Sequence, residues 1–271
     1  MNAKEKLSRK NGAGLHICVG LDTDIKKIPQ SLLKYEDPVF EFNRRIIEAT
    51  KGSAAAYKIN FAFYETEGSK GFDSLKRTIS LIPNDVLTIG DAKRGDIGNT
   101  SQMYASSVFD HFGFDSVTLH PYMGRDSLSP FIDYGDKLNF VLALTSNPGA
   151  ADFEKLKLEE GSFLFQKVIK TVTGWNEKEN CGFVFGATNI DELKENIGLF
   201  KGMPVLLPGV GAQGGSLEET ARSFEMNGHN AYLINVSRAL IYCDASENFE
   251  IKVKETLEGY NKIIAEIIKS L

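Results

Sequence analysis

Cysteine is scarce in this sequence: three residues in 271, at Cys18, Cys181 and Cys243, far apart and odd in number. Such spacing argues against a disulfide framework and offers no metal-type pair, so no metal site is expected. Cys18 and Cys181 lie inside apolar runs, where buried free thiols are the expectation, and a reducing, cytoplasmic setting follows. Long hydrophobic runs are missing as well. No apolar stretch approaches the ~20 residues that a membrane span needs, and no apolar core of a secretory signal follows the polar N-terminus. No membrane partner is therefore expected. An excess of positive charge is also absent, since 31 lysines and arginines against 36 aspartates and glutamates leave a net charge of −5. A general nucleic-acid binder needs a basic surface, so nucleic acid is not an expected partner. No Pro/Gly/Ser-rich linker, low-complexity segment or change of composition divides the chain.

What is present is the material of a large core, with 42% hydrophobic and 25% charged residues. Short apolar runs rich in β-branched and aromatic residues recur at 16–21, 54–60, 86–89, 116–120, 140–145, 182–187, 205–207 and 231–236. Each is nearly continuous rather than alternating, as in parallel strands buried on both faces. Stretches with helical spacing separate most neighbours, for example 39–49, 163–172 and 217–226. Eight strands alternating with helices over about 250 residues predict one (β/α)8 TIM-barrel domain over 1–271. The polar segment 147–161 is longer than a minimal strand-to-helix loop and suits either a lid or a surface excursion.

Barrel enzymes place their chemistry at the C-terminal ends of the strands. Reading those ends in order gives Asp22; Lys58 and Asn60; Asp91, Lys93 and Asp96; His120; Thr145 and Ser146; Thr188 and Asn189; Gly209, Gly211 and Gln213; and Ser237 and Arg238. Lys58 follows Ala54-Ala55-Ala56-Tyr57, deep in a strand. Alone it could snorkel to the surface; beside carboxylates it reads as one member of a buried ionic set. Asp91 and Lys93 stand at i and i+2, which on an extended strand turns both toward one face. Asp96 follows Gly95 and, with Asn99, Thr100 and Ser101, would also suit an ordinary helix start. Taken together, Lys58, Asp91, Lys93 and Asp96 form a compact set of alternating charges whose burial requires a purpose. A lysine held among carboxylates stays an ammonium and can act as a general acid toward a carbanion-like centre.

A phosphate site is expected across the barrel mouth. The glycine-rich run from Pro208 through Gln213 follows the seventh strand, and Ser237-Arg238 follows the eighth. Backbone N–H groups of such a turn converge on an anion, and an arginine can pair with two phosphate oxygens.

The pattern resembles the orotidine 5′-monophosphate decarboxylase family. Its most specific piece is Asp91-Ala92-Lys93-Arg94-Gly95-Asp96-Ile97-Gly98-Asn99-Thr100, similar to the longer-chain bacterial branch. Tyr57-Lys58-Ile59-Asn60, Leu144-Thr145-Ser146-Asn147-Pro148-Gly149 and the Pro208–Gln213 loop support it. The resemblance implies a cofactor-free decarboxylation of orotidine 5′-monophosphate to UMP in a homodimer with shared active sites. Lys93 would be the proton donor to C6, Asp91 would lie against the departing carboxylate, and Lys58 would complete the network. Asp96, Ile97 and Thr100 would reach into the partner's site. Asp22, Lys58 and Asn60 would face the ribose, and Ser146, beside Thr145, the pyrimidine. Gln213 and Arg238, with Pro208 and Ser237 in the same loops, would face the phosphate. Ser237 stands where many relatives have glycine. Two other readings are a Mg²⁺-dependent sugar-phosphate decarboxylase or aldolase of the same superfamily, and a catalytically silent nucleotide-binding barrel. The first would draw a carboxylate from the end of strand two, where this chain has Lys58 and Asn60, with Glu65 beyond. The second has no use for an intact four-charge set.

Overall fold

β-Branched and aromatic residues crowd the eight apolar runs, and each run becomes a strand: β1 Ile17–Gly20, β2 Ala56–Asn60, β3 Leu87–Arg94, β4 Ser116–Leu119, β5 Leu138–Leu144, β6 Cys181–Phe185, β7 Val205–Leu207 and β8 Tyr232–Val236. The structure, a computed structural model, describes residues 1–211 and 214–271. All neighbouring strands pair in parallel and in chain order, and β8 returns to β1, so the barrel closes and leaves no edge. With helices between the strands this is the expected (β/α)8 TIM barrel.

The helices expected at 39–49, 163–172 and 217–226 occur at Pro38–Thr50, Leu164–Trp175 and Leu217–Met226. The first begins where Asp37 accepts a hydrogen bond from Phe40 N at 2.9 Å, with Pro38 opening the helix. It buries Phe42, Ile46 and Ile47 against the barrel wall, each worth about 1.5–3 kcal/mol of apolar burial. The long helix Phe249–Ser270 packs on this helix and on Leu217–Met226, completing the outer ring.

Inside the barrel a separate cluster forms from Cys18, Ile89, Phe140, Val184, Leu206 and Leu233. Ala3 and Leu7 of the helix Ala3–Gly12 join this cluster. That helix is held by Lys6–Asp115 at 2.7 Å and by the backbone bond from Ala3 N to Asp136 O at 3.0 Å. Asp115 and Asp136 precede β4 and β5, so the helix plugs the N-terminal mouth and leaves the C-terminal mouth for chemistry. Cys18 and Cys181 are buried free thiols, as expected, while Cys243 is partly exposed. Among the described residues no helix is long and apolar enough to cross a membrane.

The third strand runs five residues beyond the expected end at 89. Asp91 stays in register with Asn60 of β2, and Arg94 with Leu119 of β4, so the charged run remains part of the sheet.

Candidate active site

Lys58 projects from β2 into the barrel and is 4% exposed. Its Nζ donates to Asp22 Oδ1 at 3.1 Å and to Asp91 Oδ2 at 2.9 Å. Lys93 Nζ donates to the other oxygen, Asp91 Oδ1, at 2.6 Å. The result is a chain of alternating charge, Asp22–Lys58–Asp91–Lys93. Burial would discharge Lys58, but Asp22 and Asp91 outweigh it and hold the ammonium well above the ordinary lysine range. Burial likewise pushes the Asp91 carboxyl up, and Lys58 and Lys93 more than reverse this, leaving it well below the usual carboxylate range. Beneath lies Cys18, whose thiol is pushed up by burial and stays inert.

The backbone that aims Lys93 is irregular. β3 matches β4 at Gly90–Val117 and next at Arg94–Leu119, so β3 carries extra residues across this stretch. Lys93 has φ +46°, a left-handed conformation that costs a non-glycine residue about 1–2 kcal/mol. The expectation of a plain extended strand is therefore corrected: a bulge, not the period of two, brings Lys93 back over Asp91. Thr118 of β4, buried, fastens the bulge. Its Oγ1 accepts from Lys93 N at 3.0 Å and donates to Asp91 Oδ1 at 2.9 Å. On the outer side Arg94 donates to Ala92 O at 2.8 Å and to Glu65 Oε1 at 2.6 Å, with the Tyr104 ring 5.1 Å away. Burial of all four charges is also corrected. The Lys93 side chain is 49% exposed, so it faces the open mouth while Lys58 and Asp91 are enclosed.

Asp96 does not join this network within one chain. Its Oδ1 accepts from Ile97 N at 2.8 Å, just ahead of the helix Gly98–Ser106, whose first turn has no side-chain cap. Ile97, 57% exposed, and Thr100, also exposed, lie at the start of that helix, away from the cluster. Asn60 sits at the end of β2, where its Oδ1 accepts from Ala62 N at 3.1 Å.

Opposite the charges, a cleft of about 140 Å³ is lined by Asp22, Lys58 and Asp91 on one side. Pro208 to Val210, Asn235, Ser237 and Arg238 form the other. Gly209 at φ +103° and Gly211 at φ +76° turn the chain after β7 in a way that L side chains resist. Gln213 lies outside the described residues. Gly20 permits a close crossing: a Cβ there would stand 2.7 Å from Ser237 Cβ.

Thr145 is placed differently from a free ligand group. Its N donates to Glu154 Oε2 at 2.6 Å, and its single hydroxyl proton has two acceptors in reach, Asn147 Oδ1 at 2.7 Å and Glu154 Oε1 at 2.9 Å. Glu154 thereby ties the 147–161 excursion to the end of β5. The Ser146 carbonyl accepts from Thr188 Oγ1 at 3.3 Å, next to the same tie.

Two residues of the site escaped the sequence reading: Thr118, which holds Asp91 and Lys93, and Asn235, which lines the cleft. Both had a signal in the alternation of strands: Thr118 shares a face with Ser116 and His120, and Asn235 with Ser237.

Residues 15–247 match the sequence model of the Orotidine 5′-phosphate decarboxylase / HUMPS family. The chain belongs to this family. A curated orotidine 5′-phosphate decarboxylase of Christiangramia forsetii is 48% identical over 257 residues, covering 93% of this chain and 94% of that one. One from Porphyromonas gingivalis is 46% identical over 255 residues, covering 93% and 92%. Among solved structures, Leishmania donovani OMP decarboxylase superposes with TM-score 0.82 at 34% identity, covering 97% of this chain and 99% of that chain. Leishmania donovani UMP synthase gives TM-score 0.86 at 37% identity; 97% of this chain matches, spanning 57% of that larger chain.

Proposed function

We propose that this chain decarboxylates orotidine 5′-monophosphate to UMP and CO2, a step of pyrimidine biosynthesis, as a carboxy-lyase. The observation that carries this reading is the Lys93–Asp91–Lys58 relay opening onto the same cleft as Arg238. Asp91 lies where it would face the substrate carboxylate, and the C6–carboxyl bond breaks with its electron pair left on C6. Lys93 then gives a proton from Nζ to C6. Stabilisation comes from charges fixed before the substrate arrives, so no cofactor is required. Asp22 and Asn60 would face the ribose. Ser146 would face the pyrimidine, with Thr145 shaping that wall through Glu154. Pro208, Gln213, Ser237 and Arg238 would hold the phosphate.

We read residues 1–271 as one barrel domain that works as a homodimer. Asp96, Ile97 and Thr100 then act across the interface, completing the neighbouring subunit's charge network. The exposure of Ile97 and Thr100, the half-buried Asp96 beside them, and the exposed Met103 and Tyr104 on the same helix support this. Cytoplasmic residence, with neither nucleic acid nor membrane as partner, fits the buried thiols and the acidic balance of charge.

The Mg²⁺-dependent alternative is less well served by these residues. Glu65, the carboxylate beyond strand two, is held by Arg94, and both oxygens of Asp91 are occupied by lysines. The test follows absorbance as orotidine 5′-monophosphate is consumed in the presence of EDTA. Turnover is expected there, and Lys93→Ala should abolish nearly all of it while the protein stays folded. No turnover, or turnover only of a sugar phosphate with Mg²⁺, would overturn the reading.

A further inference from the structure

Asn235 stands on β8 two residues before Ser237, so both side chains turn into the barrel. It is 6% exposed, yet its Oδ1 has no hydrogen-bond partner among the described residues, and neither has Ser237 Oγ. An unpaired buried amide oxygen is costly, and packing alone does not call for one, since the preceding inward position of β8 is Leu233. Both residues line the cleft with Lys58, Asp91 and Arg238, their orphan atoms enclosed in its wall. β1 makes room for them: a Cβ on Gly20 would come within 3.2 Å of Asn235 Oδ1.

The chemistry of the orphan atom selects its ligand. An amide oxygen only accepts, so it cannot pair with a phosphate dianion or a carboxylate, which offer no proton. Lys58 has three N–H donors and spends two on Asp22 and Asp91, leaving one uncommitted among the described residues. A hydroxyl both accepts and donates, so it is the group that satisfies a lysine N–H and an amide oxygen in one cleft. The place is right for a sugar, between the charge network and the arginine. We propose that Asn235 is a specificity-determining residue that accepts a hydrogen bond from a ring hydroxyl of the bound nucleotide, selecting ribosyl over deoxyribosyl phosphates. The proposal rests on the nucleotide-decarboxylase reading above and adds a residue that reading does not use.

The experiment measures binding of UMP, 2′-deoxyUMP and 3′-deoxyUMP to the wild-type protein, Asn235→Leu and Asn235→Asp. Wild type should bind one of the two deoxynucleotides about tenfold or more weakly than UMP, as expected for loss of a buried polar contact. In Asn235→Leu that penalty should shrink about fivefold or more, while Asn235→Asp, which keeps an acceptor, should retain it. Equal weakening of all three ligands by Asn235→Leu, or no coupling to either hydroxyl, would overturn the proposal. If Asn235→Leu does not fold, loss of the hydroxyl penalty in Asn235→Asp has the same force. A wild-type protein that neither binds UMP nor turns over orotidine 5′-monophosphate instead overturns the functional reading, and this inference with it.

Discussion

Asp91 takes hydrogen bonds from three donors, Lys58 and Lys93 at their ammonium groups and Thr118 at its hydroxyl. The first two are legible in the sequence because a charge inside an apolar run is conspicuous: its burial needs a counter-charge nearby. Thr118 is not, since a threonine on a β-strand is ordinary, and only its position across from a bulge gives it work. Thr118→Val keeps the shape and removes both the donor to Asp91 and the acceptor for Lys93 N. Steady-state kinetics should show kcat lowered about tenfold or more with KM little changed, because placement of the reacting groups is what is lost. Urea unfolding should show a loss of about 1–3 kcal/mol from the orphaned N–H. Thr118→Ser should restore most of both, and a Val variant with wild-type kcat would show that Asp91 positions itself unaided.

At the scale of elements, the sequence pattern identified where β3 begins but not where it ends. Charged residues read as a loop, and it is the pairing of Asp91 with Asn60 and of Arg94 with Leu119 that keeps them in the sheet. The bulge this produces stores strain at Lys93, which the Thr118 and Arg94 bonds hold in place. The crossing of β1 and β8 is equally a matter of close approach. Gly20→Ala would drive a methyl into Ser237 Cβ, so the end of β8 must shift. Overpacking of this kind costs about 1–3 kcal/mol in thermal or chemical unfolding. KM for the nucleotide should rise more than kcat falls, because Ser237 and Arg238 move while Lys93 does not. An unchanged KM would mean that β8 tolerates the shift without disturbing the proposed phosphate side. The excursion at 147–161, open between lid and surface feature in the sequence, is tied down by Glu154 on Thr145 and by the Lys155–Glu192 ion pair.

For the whole molecule, pH reaches stability through a group far from the chemistry. His16 stacks on Tyr232 with ring centroids 4.0 Å apart, and burial depresses its pKa to about 4, only partly countered by its bond to Tyr232 O. Between about 4 and 6.5 the unfolded chain binds this proton and the folded one does not. Stability therefore falls as pH drops from 6.5 toward 4, by up to about 3 kcal/mol from this residue alone. Asp91, with its pKa lowered, has the opposite anchoring: its contribution is complete above the ordinary value of 3.8 and is lost only as pH falls further. Denaturation curves of His16→Gln across this range should be flatter than wild type; an identical slope would remove His16 as the cause. Assembly carries the remaining prediction. Mixing Asp96→Asn with Lys93→Ala subunits should regain activity, up to about a quarter of wild-type sites for random dimers. Confirmed mixed dimers with no regained activity would show that Asp96 serves its own chain or none.

The sequence by itself determined the barrel, because eight apolar runs at regular intervals can be buried on both faces in only a few ways. It also determined the buried ion pair, because Lys58 and Asp91 are intolerable in those runs without each other. Only the tertiary structure decided how the network closes. Asp22 rather than Asp96 pairs with Lys58 within one chain, Thr118 secures the bulge that carries Lys93, and Asn235, a residue of the cleft wall, keeps a buried oxygen without a partner among the described residues. Those three facts depend on register between strands distant in the chain, and a hydrogen bond is set by tenths of an ångström that no residue's own neighbours specify.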